Sequence, residues 1–347
     1  MMVKIMSRFK IVKLHDPVEY KETIKQFWDE YLTDTPYERY KWLESGNPAG
    51  KTIWFLAFKD GERELAGAIN VMPKDVIIGG ETIKIGLLGD YMVSKKFRVF
   101  GPAIHLPKAV MEDMDALGIK TIISIPNDDA KKVHQKAGIC GLKMIHTYVK
   151  PIDLSYYFSK RIKTFPAEFF AGIASFLLKI FSKEPLVSSR GCFRETDLID
   201  ESFNVFWNEY KEKKRNGFIS DHSSEYLKWR YLQNPLNKFR ILTYCASENG
   251  KLEGYAILCP SGKGIYINDI LVLNKKAANR LVKKIISIAR KEKRQAVYMA
   301  FPPDSEWHDL LKYFYFVDAK FDLSLCYYST SEMNLDGWVF LAGDRNI

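Results

Sequence analysis

The sequence predicts an α+β protein made of two tandem domains, each a mixed, mostly antiparallel sheet flanked by helices, joined by an apolar linker helix. An internal repeat is the first observation. "FWDEYLTDTPYERYKWLESGNP" from Phe27 returns as "FWNEYKEKKRNGFISDHSSEYLKWRYLQNP" from Phe206, with an insertion in the second copy. Trp28 and Trp42 align with Trp207 and Trp229, so four of the seven tryptophans fall into register. Further on, Gly67 answers Gly254, and "DYMV" at Asp90 answers "DILV" at Asp269. Two long copies mean paired domains rather than a solenoid. The second observation is alternation of hairpin-like apolar runs with amphipathic segments inside each copy, the pattern of a layered α+β fold. The expected boundaries are 1–150 for the first domain, 151–190 for the linker and 191–347 for the second domain.

The elements of the first unit follow in order. "RFKIVKL" alternates as a strand. Asp16-Pro17-Val18-Glu19 then combines an N-cap residue, Pro at the first helical position and a reaching Glu, which starts a helix over "YKETIKQFWDEYL". A second helix around "YERYKWLE" ends at Asn47-Pro48. "TIWFLAFKDGERELAGAINVMP" reads as two strands turning at Asp60-Gly61, and "VIIGGETIKIGLLGDYMV" as a hairpin across Gly79-Gly80. "FGPAIHLPKAVMEDMDALG" is a loop and helix, "KTIISIP" a buried strand, "NDDAKKVHQKAG" a short helix and "LKMIHTYVKPI" a closing strand.

Residues 165–181, within "FPAEFFAGIASFLLKIFSKEP", form the apolar linker helix, interrupted by Glu168 and Lys179 and short of the roughly 20 clean residues of a membrane span. Two readings stay open: a helix packed between the domains, or one making peripheral contact with the inner membrane face through Lys160, Arg161, Lys163 and Lys183. With 47% hydrophobic and 27% charged residues the chain has ample material for cores. Its five cysteines include no CxxC and no close Cys/His group, so neither a metal site nor a disulfide framework is expected. With no signal-peptide pattern at the N-terminus, the expected location is cytoplasmic. The net charge of +10 is spread along the chain without a block of five like charges, which argues against DNA binding and suits a phosphate-rich small-molecule substrate.

Three places in the first unit could carry chemistry. Arg98-Val99-Phe100-Gly101-Pro102-Ala103 joins a strand to a helix, where a glycine and free helix N–H groups suit phosphate oxygens; the plain alternative is an ordinary helix start. Asn127, at the end of a buried strand, can meet a ligand or simply cap the next helix. His134, in mid-helix, is a titratable group or an exposed surface residue. Asp90, on an apolar strand, is a general base or a salt-bridged carboxylate.

These features resemble the GNAT superfamily of acetyl-CoA-dependent N-acyltransferases. Its cofactor loop, Arg/Gln-x-x-Gly-x-Gly/Ala, is matched by Arg98, Gly101 and Ala103, and its Asn-x-x-Ala segment by Asn127, Ala130, Val133, His134, Gly138 and Ile139. The match covers most of residues 1–150. The resemblance implies that Met92 and Val93 hydrogen-bond pantetheine, and that Arg98, Val99, Phe100, Gly101, Ala103 and Asn127 complete the acetyl-CoA site. It implies catalytic roles for His134, as the acid on the leaving thiolate in place of the family's usual tyrosine, and for Asp90, as the base. Pro102 departs from the pattern by lacking an N–H.

The second unit has no such loop after Val272, and Pro303 and Leu311 stand in the places of Asn127 and His134. The chain is similar in this respect to acetyltransferases of bacterial surface-polysaccharide pathways, as are "WRYLQNP" and the tail "WVFLAGD". That resemblance implies an amine acceptor such as an amino sugar on a nucleotide or lipid carrier. Because the second copy keeps the framework without the loop, the acceptor is expected to bind between the domains. A Fem-like aminoacyltransferase using aminoacyl-tRNA and a non-catalytic acyl-CoA-binding module are the alternatives.

Overall fold

The computed structural model describes residues 2–6, 9–14, 18–59, 64–98, 101–153, 173, 184–188, 190–331, 335 and 338–345. The 165–181 segment, apart from Ile173, lies outside them, as do Asp16, Pro17, Asp60, Gly61, Val99 and Phe100.

The first unit opens with β1 (Met2–Met6), β2 (Phe9–Leu14), α1 (Lys21–Tyr31) and α2 (Glu38–Leu43). The meander β3 (Ile53–Lys59), β4 (Leu65–Ile78) and β5 (Glu81–Val93) follows, then α3 (Pro102–Asp113), β6 (Thr121–Ser124), α4 (Asp128–Ala137) and β7 (Gly141–Pro151). Gly79 and Gly80 make the expected β4–β5 turn, both with positive φ (60° and 86°), which few other residues adopt.

The second unit repeats the plan with β8 (Cys192–Thr196), α5 (Glu201–Lys213), β9 (Phe218–Ser220), α6 (Ser224–Leu227), β10 (Arg240–Cys245), β11 (Leu252–Ser261) and β12 (Gly264–Val272). It closes with α7 (Lys275–Lys291), β13 (Ala296–Phe301), α8 (Trp307–Tyr313) and β14 (Val317–Ser329). A π-helical turn, Lys228–Leu232, extends α6.

The two units share one sheet. Its strand order is β1-β2-β3-β4-β5-β6-β14-β7-β13-β12-β11-β10-β8, with β9 paired to β4. The last strand of the second unit thus lies between two strands of the first: β14 pairs antiparallel with β6 (Cys326↔Ser124) and with β7 (Leu323↔Ile145). Likewise β7 pairs with β13, and β9 crosses back to β4 through Ile77↔Ile219. The boundaries drawn at 150 and 191 therefore fall inside one hydrogen-bonded sheet. With β14 between them, β6 and β7 each gain a partner for N–H and C=O groups that would otherwise be left unpaired.

Positions that the repeat aligns also meet in space. Trp42 and Trp229 stack with ring centroids 4.7 Å apart and planes 14° off parallel. Trp42 Nε1 donates to Trp229 O (3.0 Å), while Trp229 Nε1 donates to Ser45 O (3.0 Å). Such reciprocal contact of equivalent residues is what a local two-fold axis between the units produces.

Nearby, the tail returns to the "WRYLQNP" segment. Arg230 Nε donates to Gly343 O (2.9 Å), and Lys74 of β4 forms a fully buried ion pair with Asp344 (2.8 Å). The two segments that carry the polysaccharide-pathway resemblance therefore bond to each other and to the first unit.

Candidate active site

β5 and β6 run parallel but touch briefly. Ile85, Gly86 and Leu87 pair with Thr121, Ile122 and Ile123; β6 then ends at Ser124 while β5 continues to Val93. Over its last residues β5 is bonded on one edge only, to β4, through Gly67↔Val93 and Ala68↔Met92. The other edge of Met92 and Val93 has no strand partner among the described residues. It offers backbone groups to an extended ligand.

A β-bulge shapes the opening. Asn70 pairs with Gly89 and Ala68 with Met92, so Asp90 and Tyr91 together face Ile69. Asp90 takes φ 43°, a left-handed conformation rare outside glycine and more tolerated by Asp than by bulky residues. The buried carboxylate is held on both oxygens: Arg39 Nε donates to Oδ1 (3.1 Å) and Asn70 Nδ2 to Oδ2 (2.6 Å). The salt-bridged alternative for Asp90 is thus the geometry present. Asp269 stands at the matching bulge of the second unit, where β12 shifts register against β11.

A cleft of about 200 Å³ fills the gap between the strands, lined by Asp90, Tyr91, Ser124, Asn127, Ala130 and His134 among others. It unites three of the residues singled out from the sequence. Asn127 caps α4, its Oδ1 accepting from Ala130 N at 2.9 Å, and lines the cleft as well, so its two roles coexist.

His134 is 2% exposed, so the surface reading of it is overturned. Ala137 on the same helix face is buried too, and the Tyr91 ring lies 5.7 Å from the imidazole. His134 Nδ1 lies 3.0 Å from Ser124 Oγ, and Nε2 is buried without a partner among the described residues. Burial lowers its pKa from the ordinary 6.5 to about 4, because the apolar surroundings disfavour the charged form. The ring beside Ser124 and Tyr91 is therefore neutral at ordinary pH.

The loop that follows β5 leads to the N-terminus of α3. Gly101 takes φ 107°, and a Cβ there would lie 3.1 Å from His105 Cε1. Pro102 occupies the first turn, where its missing N–H costs nothing to the helix. Arg98 is exposed beside the loop. Tyr91 Oη donates to Ala103 O (2.8 Å), tying the strand to the loop, and burial raises the phenol pKa.

Sequence reasoning missed Arg39, Asn70, Ser124 and His105. Only Ser124, inside the buried strand "TIISIP", gave any signal. Arg39 and Asn70 act through contacts between separate elements, as where Arg39 reaches Asp90 from α2, and His105 lies one helical turn after Gly101.

Three comparisons bear on this arrangement. Residues 18–139 match the model of the acetyltransferase (GNAT) family. No curated protein matches the chain. Among solved structures, a probable N-acyltransferase of unknown function from Enterococcus faecalis superposes with a TM-score of 0.65 at 14% identity, covering 92% of this chain and 72% of the other. A GCN5-related N-acetyltransferase from Anabaena variabilis gives 0.65 at 12% identity over 92% and 73%. The N-myristoyltransferase of Saccharomyces cerevisiae, solved with bound myristoyl-CoA, gives 0.56 at 11% over 94% and 83%. No helix among the described residues is long and apolar enough to cross a membrane. With its opened parallel strand pair, bulge and glycine loop, the chain has the fold of the GNAT-type N-acyltransferases.

Proposed function

We propose that the protein transfers an acetyl group from acetyl-CoA to an amine, with the β5–β6 cleft as the site of transfer. The observation that carries this reading is the parting of β5 from β6 beside the Asp90 bulge, aimed at a glycine loop and a helix N-terminus. Pantetheine lies along the open edge of Met92 and Val93. The pyrophosphate meets the loop, where Gly101 and Ala103 contribute N–H groups and Arg98 a nearby positive charge; Val99 and Phe100 complete the loop in sequence.

The acyl group is small. A cavity of about 150 Å³ holds a benzene molecule. A cleft of about 200 Å³ therefore takes an acetyl group and the adjoining thioester, not a fourteen-carbon chain. Asp90, Ser124 and Asn127 line it with polar groups that a long alkyl chain would strip of solvation.

In the reaction the amine nitrogen attacks the thioester carbonyl carbon. The C–N bond forms, the C–S bond breaks, and the electron pair leaves on sulfur. The proton lost by the amine balances the one gained by the thiolate. With Ser124 Oγ–H donating to Nδ1, neutral His134 carries its hydrogen on Nε2 and hydrogen-bonds the sulfur as negative charge develops; the proton that completes the thiol is the one the amine loses. Asp90 acts as a positioning residue that pins the bulge through Arg39 and Asn70.

For the acceptor we take an amine on a phosphate-bearing sugar carrier, entering between the units. This rests on the polysaccharide-pathway resemblance and the evenly spread charge of +10, which draws anions to the surface.

Calorimetry with acetyl-CoA tests the assignment. One equivalent should bind per chain, and Gly101→Val should abolish binding because valine resists the positive φ and blocks the loop. Two equivalents, or unchanged affinity in the variant, would remove the site from this loop.

A further inference from the structure

A second cavity, of about 560 Å³, lies on the sheet where the two units join. Its walls include Val149 of β7, Tyr266 of β12, Tyr298 of β13, Val317 and Phe321 of β14, and Arg345 of the tail. The rings of Tyr266 and Tyr298 stack 4.6 Å apart at 14°, forming a flat aromatic wall. Phe321 stays 64% exposed and Val317 53%, so the rim presents apolar surface to solvent. That rim is built by a bulge in β14: Asp318 pairs with Tyr148 and Asp322 with His146, and Lys320 turns the chain with φ 56°.

Arg345 is the unusual member of this lining. Its backbone is fixed at both ends, N–H donating to Ala342 O (3.3 Å) and C=O accepting from Arg230 Nη2 (2.5 Å). The guanidinium has no acceptor among the described residues. Burial lowers its pKa, and the neighbouring Arg230 adds to the effect. The carboxylate in the lining, Asp318, serves Lys320 instead, accepting from its N–H at 2.8 Å and pairing with Nζ at 3.6 Å. A guanidinium stays protonated in proteins, so a partly desolvated Arg with no anion is an unfavourable arrangement that a bound anion relieves. A larger cleft beside α7 lacks this feature: its Lys213 and Lys214 are paired with Glu209 and Glu306.

We infer that this cavity binds a small organic anion, with an apolar or aromatic body against Tyr266 and Tyr298 and a carboxylate or phosphate on Arg345. The volume falls within the range of small-molecule sites, and few polar groups among aromatic walls is their usual composition. The planar guanidinium fork suits two oxygens of one anion. The aromatic wall supplies contact area at little entropic cost.

The test is calorimetric titration of the full chain with 2-naphthyl phosphate, with and without saturating acetyl-CoA. One equivalent should bind, undisturbed by acetyl-CoA. Arg345→Gln should weaken it about ten- to a hundredfold, the loss expected for a hydrogen-bonded charge pair. Ala319→Trp, which adds bulk from the bulge, should weaken it as well, and 2-naphthol should bind at least tenfold less tightly. Absence of binding, equal affinity in the wild type and both variants, or displacement by acetyl-CoA would each overturn the assignment. None of these outcomes depends on whether the β5–β6 cleft transfers an acyl group.

Discussion

Raising the pH from 6 to 9.5 should remove about 3 kcal/mol of folding stability through a single buried residue, His222. Its Nδ1 lies 2.8 Å from Ser220 O and its Nε2 3.1 Å from Asp269 Oδ2. A carbonyl and a carboxylate both accept, so both ring nitrogens must donate and the imidazole is protonated. Burial alone would lower its pKa; the charge and hydrogen bond of Asp269 outweigh that, Asp344 adds to them and Lys74 opposes, leaving a value of about 9. The folded value thus stands above the ordinary 6.5. The contribution is fully present below pH 6.5 and is lost as the pH rises through 9. The gap between those values, at about 1.4 kcal/mol per unit, corresponds to about 3.5 kcal/mol, of which about 3 kcal/mol is lost between pH 6 and 9.5. That is a large part of the roughly 5–15 kcal/mol that holds a domain folded. Urea unfolding followed by tryptophan fluorescence, on the wild type and His222→Gln at pH 6 and 9.5, isolates the term. The variant should be less stable at pH 6, and the difference should shrink by about 3 kcal/mol at pH 9.5. Parallel pH dependences for the two proteins would refute a protonated His222.

Two further outcomes follow from the cleft and from the sheet. His134→Ala should lower kcat by about 10²–10³-fold with acetyl-CoA affinity nearly unchanged; because burial holds His134 at about pKa 4, kcat/KM should show no ionisation near pH 6.5, and an acid limb there would contradict the neutral ring. A chain ending at Asp153 should fail to fold, because β7 loses both of its neighbours, β14 and β13, and β6 loses β14; a cooperative unfolding transition in that fragment would refute the dependence.

Much of the architecture was written locally. The Gly79-Gly80 turn, the apolar run of β6 and the Asn127 cap each rest on residues within a few positions of one another, where turn chemistry and periodicity act directly. The bulge at Asp90 left a faint trace, a polar residue in an apolar strand. Its cause, the reach of Arg39 from α2 across to β5, is set by packing and has no sequence spacing to reveal it. His134 shows the same limit from the other side. A histidine among Lys131, Lys132 and Lys136 reads as a surface residue, yet the helix turns this one position toward Tyr91 and Ser124. The protonation state then follows from burial, which no local pattern encodes.

The exchange of strands was the least legible feature, and it has consequences for the site. The repeat alone suggests that each copy closes its own sheet, since each carries the same run of strands. Hydrogen-bonding strength is the same whether β14 pairs within its own unit or with β6 and β7, so propensity cannot choose between the two. Contacts that join the units choose. Lys74 of β4 is buried against Asp344 and Tyr226, and Trp42 against Trp229. These pairs form only when the units sit face to face, and unpaired burial of either charge would cost several kcal/mol. With the units so placed, β14 lies beside β6 and flanks the strand whose end opens the cleft. Lys131 of α4 bonds Ser324 of β14 (2.7 Å), so the helix that carries His134 is anchored partly by the second unit. The copy without a glycine loop thus holds in place the helix on which the proposed chemistry depends.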